Sequence, residues 1–138
     1  MIISFFRPGD WVVRDGETRP RKVCRIAPYS GWITVYGDDC NLATCTPELF
    51  RGVPLQAGNL KQLGFQSRDG KEWQLELGHG AVCIVVMSDE ENHIFVSADR
   101  DVLRHSSGRI SGKRLTIPHL QHLLTDCGWP EVTGGFLL

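Results

Sequence analysis

The run Val82-Cys83-Ile84-Val85-Val86-Met87 is continuously apolar, and it follows the alternating segment Glu72-Trp73-Gln74-Leu75-Glu76-Leu77 after a Gly-His-Gly turn. Successive side chains of a strand point to opposite faces, so Trp73, Leu75 and Leu77 are expected on a core, with the intervening polar residues in water. A strand with no polar face has nothing to give to solvent and is expected at the centre of a sheet. Ser88 to Asn92 then turns the chain into His93–Ser97. A further hairpin is expected from Val102-Leu103-Arg104-His105 through a turn at Ser106-Ser107-Gly108 to Arg109-Ile110.

A short helix on each side of this β region ends in the same grammar. Leu60-Lys61-Gln62-Leu63-Gly64-Phe65 and Leu124-Thr125-Asp126-Cys127-Gly128-Trp129 both place a glycine where a helix turns left-handed, with an aromatic residue folding back on the leucine. The second helix is capped at Thr116 or Ile117 and has Pro118 in its first turn. Leu120, Leu123, Leu124 and Cys127 follow helical spacing, so that face is expected on the sheet.

The first third reads as short strands at intervals of about ten residues. These are Asp10–Val13, Lys22–Ala27 and Trp32–Tyr36, separated by turn residues at Asp15-Gly16 and Tyr29-Ser30-Gly31. Such a meander closes most easily into a small SH3-like barrel, because closure removes exposed edges. Between Cys40 and Pro54 the pattern weakens to a single helical turn at Thr46-Pro47-Glu48. The expected fold class is α+β, mainly antiparallel: an SH3-like β subdomain over 1–52 and an α+β subdomain over 53–138 packed against it.

With 15 Lys+Arg against 16 Asp+Glu the net charge is −1, so polyanion binding needs a local patch rather than a global field. The 41% hydrophobic fraction suits a globular core and excludes a disordered or coiled-coil chain. The Ile2–Phe6 stretch is too short for a secretory segment, and no run approaches the length of a membrane span. Five cysteines at irregular spacing, two of them inside apolar strand patterns, suit a cytoplasmic location.

Two constellations are candidates for chemistry. Trp11, Arg14, Arg21, Lys22, Arg25, Trp32 and Tyr36 combine aromatic and basic residues, which in an SH3-like sheet recognise proline-rich peptides or stack nucleobases. Alternation alone does not decide whether Trp11 and Trp32 point outward. His119, His122 and Asp126 advance by about 300° and 340° around a helix and share one stripe that could hold a metal ion. Cys40 and Cys45 have the spacing of half a zinc clip with no second half, and Gly78-His79-Gly80 reads as a turn. No cofactor is expected.

Pro54-Leu55 through Leu63-Gly64-Phe65, the strand with Trp73, and Ile117-Pro118-His119-Leu120-Gln121-His122-Leu123 together resemble a group of small uncharacterised proteins of Bacteroidales genomes. These often occur in phage or mobile-element contexts. Pro118-His119-Leu120-Gln121-His122 departs from the Val-His-Gln-Leu-Gln usual in that group. The resemblance covers about a third of the chain, carries no catalytic residues and implies a cytoplasmic accessory protein. Taken together, the expected function is non-enzymatic binding of a protein or nucleic acid, without a membrane and with a homo-oligomer left open. The alternative is a metal-binding protein or metal-dependent hydrolase using the His/Asp stripe.

Overall fold

In a computed structural model that describes residues 5–36, 42–78, 80–97 and 106–129, the chain forms two compact units, the first ending at Val53 and the second beginning at Pro54. Among the described residues the fold is α+β, with two antiparallel sheets, two α-helices and one 3-10 turn.

The first unit contains β1 (Trp11–Arg14), β2 (Arg21–Ile26), β3 (Ile33–Tyr36), β4 (Leu42–Cys45) and β5 (Phe50–Gly52), in the order β4-β3-β2-β1-β5. Val12, Val23, Ile33, Val35 and Phe50 form its core, with Phe6, Ile26 and Cys45 packed against it. The sheet is open among the described residues, and its edges β4 and β5 are not paired with each other. Strands β4 (Leu-Ala-Thr-Cys) and β5 (Phe-Arg-Gly) were hidden in the sequence because they are too short to display an alternating period. The turn between them, Pro47–Leu49, follows Thr46 as expected, although the Thr46 side chain makes no capping bond.

The second unit is a meander, β6 (Gln66–Ser67), β7 (Glu72–Gly78), β8 (Ala81–Val86), β9 (Asn92–Ser97) and β10 (Ser106–Gly112), in sequence order across the sheet. The apolar strand β8 is central, and Ala81 to Val85 are all buried. Trp73 and Leu77 are buried while Glu72, Gln74 and Glu76 are exposed, as the alternation requires. The Trp73 indole donates to the Gly70 carbonyl (3.2 Å), tying the β6–β7 turn to the strand.

Helices α1 (Ala57–Gln62) and α2 (Ile117–Asp126) end in the same hydrogen-bond pattern. Phe65 N–H donates to the Leu60 carbonyl (3.0 Å) and Gly64 N–H to Lys61 (3.1 Å); Trp129 donates to Leu124 (2.7 Å) and Gly128 to Thr125 (3.0 Å). Gly64 and Gly128 have φ of 98° and 90°, a region that a Cβ makes costly. Leu60, Phe65 and Leu124 are buried.

The expected hairpin with its turn at Ser106-Ser107-Gly108 is not what forms. These residues belong to β10, which pairs with β9 and carries a bulge between Ser106 and Gly108, and residues 102–105 lie outside the described residues. Gly108 is chosen by contact rather than by turning: a Cβ there would come 2.5 Å from Cys127 Sγ and 2.8 Å from Leu123 Cδ1. The apolar stripe of α2 thus rests on bare backbone of β10. The segment around His79 and the tail with Gly134-Gly135 also lie outside the described residues. No helix of the described residues is long and apolar enough to cross a membrane.

Two predictions follow from this packing. Gly108→Ala should destabilise the protein by about 1–3 kcal/mol through overpacking, whereas Gly58→Ala, in a helix with open space around it, should stabilise by roughly 0.5 kcal/mol. Thermal melts of the two variants should therefore move in opposite directions. Burial pushes the Cys83 thiol from 9.0 up to about 12. A folded-state pKa above the unfolded one stabilises fully below pH 9 and is lost as pH rises towards 12. Urea unfolding at pH 8 and pH 11 should show that Cys83→Ala reduces the alkaline loss of stability.

Candidate functional site

Simple alternation through Val23-Cys24-Arg25-Ile26 would send Arg25 into the core and Ile26 into water. The structure avoids this with one extra residue. Val23 opposes Val35 and Arg25 opposes Thr34, so two steps on β2 match one on β3 and Cys24 is the bulged residue. Ile26 returns to the core opposite Ile33, and Arg25 stays exposed.

On β3 the inward residues Ile33 and Val35 are buried, which places Trp32, Thr34 and Tyr36 on the outward side. Trp32 is 46% exposed and Tyr36 37% exposed, with Thr34 at 3% between them. The Thr34 hydroxyl lies 2.9 Å from that of Thr44, which satisfies the buried polar group across β3 and β4. Ala27 N–H donates to the Trp32 carbonyl and Gly31 N–H to the Ala27 carbonyl, both at 2.9 Å, closing the connecting turn with Gly31 at φ 74°. Tyr29, 80% exposed, sits in that turn.

Of the seven aromatic and basic candidates, Lys22, Arg25, Trp32 and Tyr36 are exposed on this hairpin. Arg21 is anchored: its Nε donates to Glu17 at 2.8 Å, and Nη1 reaches the Tyr36 carbonyl at 3.5 Å. Arg14 is half-buried on β1 opposite Phe50. Trp11 does not belong to the exposed surface. It is 6% exposed, and alternation places it on the opposite face of β1 from Val12.

Tyr36 makes a side-chain hydrogen bond with Cys24, which raises its pKa above 10.0; the charge of an ionised Cys24 and slight desolvation push the same way. The phenol therefore stays neutral through the physiological range and presents an uncharged ring.

The stripe on α2 is used differently from the metal reading. Thr116 is the N-cap, and its N–H donates to His119 Nδ1 at 3.0 Å while its hydroxyl lies 2.8 Å from the same nitrogen. With the Thr116 side chain accepting from the third helical N–H, this is a capping box in which histidine takes the place of Glu or Gln. An Nδ1 that accepts a backbone N–H carries no proton, so the neutral ring holds its hydrogen on Nε2. His119 is thus committed to ending the helix. Among the described residues no three His, Cys, Asp or Glu side chains, His119, His122 and Asp126 included, converge to hold a metal ion. Cys40 lies outside the described residues, and Cys45 packs against the first unit's core.

A cluster that residue-type reasoning missed lies on the second sheet. Arg109 stands 5.1 Å over the Phe95 ring, His93 stacks on Phe95 at 6.2 Å, and His93 Nδ1 lies 2.7 Å from Ser111 Oγ. Its signal is the register, which pairs Phe95 with Arg109 and His93 with Ser111. These groups satisfy one another. An open groove of about 820 Å³ beside β6 and β7 has a mixed polar lining that includes Arg68, Asp69 and Glu72.

Comparison with protein-family models, with curated proteins and with solved structures finds no match. The functional reading therefore rests on the hairpin itself.

The sequence contains only two tyrosines, so Tyr29→Phe leaves Tyr36 as the sole phenol. In that variant an ultraviolet titration should show ionisation above 10.0, and adding Cys24→Ala should lower the midpoint towards the ordinary value.

Proposed function

We propose that the protein is a non-enzymatic recognition module of SH3-like type whose ligand lies across the outward face of the β2–β3 hairpin. The carrying observation is the contrast within one strand: Ile33 and Val35 are buried, while their neighbours Trp32 and Tyr36 are exposed. Large aromatics on a sheet face cost little side-chain entropy when a ligand orders them, which makes them effective anchors. Lys22 and Arg25 flank them and add charge.

Three features support the SH3-like assignment. The strand order is β4-β3-β2-β1-β5, a single 3-10 turn joins β4 to β5, and the bulge in β2 lets one strand pair with β1 through Arg21 and Lys22 and with β3 beyond it. The free thiols Cys24, Cys45, Cys83 and Cys127 suit a reducing cytoplasm, where the module would serve as an accessory protein of the kind suggested by its resemblance to the Bacteroidales group.

Amide chemical shifts of the full chain, titrated with single-stranded oligonucleotides, proline-rich peptides and acidic peptides, test this reading. At least one class should shift residues 22–36 most strongly, and Trp32→Ala should weaken that binding by about tenfold or more without lowering the melting temperature. Shifts centred elsewhere, no binding by any class, or full affinity in Trp32→Ala would overturn it.

A further inference from the structure

We infer that the ligand of this face is single-stranded nucleic acid, bound with bases stacked on Trp32 and Tyr36 and phosphates held by Lys22 and Arg25. The inference rests on the recognition reading above and adds the chemical class of the ligand.

Charge makes the first part of the case. The whole chain carries −1, yet the stretch from Thr18 to Tyr36 contains Arg19, Arg21, Lys22 and Arg25 and not one Asp or Glu. Arg21 is engaged by Glu17 at 2.8 Å, so it orders the hairpin rather than offering a charge. No ion pair among the described residues involves Lys22 or Arg25, and both are exposed. A local cationic surface on a near-neutral protein is complementary to a polyanion.

Geometry makes the second part. Trp32 and Tyr36 are four residues apart on one side of an extended strand, roughly 13 Å at about 3.4 Å per residue. Arg25 is opposite Thr34, midway between them, so a phosphate on Arg25 falls between two stacked bases. Tyr29, 80% exposed, lies in the adjoining turn.

Other ligands use only half of these groups. A proline-rich peptide would engage the aromatic rings but leave both cations without a partner. An acidic peptide would meet the cations but offer no flat π-face to the rings. Duplex bases are stacked on one another and give the rings no access. Single strands satisfy both sets, and because every base has a π-face, the selection is for strandedness rather than sequence.

Fluorescence anisotropy of the full chain with labelled twelve-residue oligo-dT, oligo-rU and a matching duplex tests the inference between 50 and 200 mM salt. Oligo-dT, oligo-rU or both should bind, at least about tenfold tighter than duplex, and the tighter of the two identifies DNA or RNA as the source. Trp32→Ala should weaken binding about tenfold or more, through the loss of one stacked base. Lys22→Gln combined with Arg25→Gln should reduce the salt slope by about 1.4, two phosphates at about 0.7 each. Unchanged circular-dichroism melts would confirm that both variants fold. Duplex binding as tight as single strand, an unchanged salt slope, or no binding by either oligonucleotide overturns the inference. If a proline-rich peptide shifts the hairpin amides while both oligonucleotides fail, the ligand class is wrong and the recognition face stands; if nothing binds the hairpin, both fall.

Discussion

Strand β8 offers no polar side chain to water, and the second unit is organised around hiding it. Two strands on each side cover its edges, so its backbone groups are paired within a five-stranded meander. Helix α2 packs on the flanking strands β9 and β10, with Leu120 and Leu124 buried. Each buried leucine of this kind is worth about 1.5–3 kcal/mol in area removed from water. The helix ends then have to be exact enough to keep those leucines in place. At one end His119 and Thr116 close the first turn, and at the other Gly128 lets the chain reverse so that Trp129 bonds back to Leu124.

How far this could be read from the residues depended on how local the deciding physics was. The helix stops were legible, because a glycine followed by an aromatic acts through bonds spanning five or six residues. The alternation of β7 and the apolar run of β8 were legible for the same reason. Gly108 was not: after two serines it has the chemistry of a turn, and only the arrival of Cys127 and Leu123 from the other side of the sheet explains it. Strands β4 and β5 depend on their partners for their identity, since Leu42–Cys45 and Phe50–Gly52 are too short to announce a period.

The site divided along the same line. Residue types in the first third marked Trp11, Trp32 and their basic neighbours as candidates, but composition does not tell an inward tryptophan from an outward one. Trp11 and Trp32 are distinguished by their positions: Trp11 lies within β1, where it is 6% exposed, whereas Trp32 sits between the Ala27–Gly31 turn and β3 and is 46% exposed. The histidine stripe shows the opposite failure. Helical spacing puts His119, His122 and Asp126 on one stripe and says nothing of the competing bond that Thr116 offers to His119. A side chain near a helix start has backbone donors as its nearest suitors, and these take precedence over a distant ion.

The extra residue in β2 also constrains how the chain can change over time. Val23, Arg25 and Ile26 face the way they do only because Cys24 is counted out of the pairing. Deleting Cys24 would make β2 a regular strand with Val23 and Ile26 still inward and Arg25 still outward, whereas flattening the bulge with all four residues kept would put a guanidinium inside and an isoleucine outside. Residues added in the Ala27–Gly31 turn, by contrast, leave the count on both strands intact. Cys24, counted out of the pairing, can vary in identity or be lost with little effect on which residues of β2 face the core.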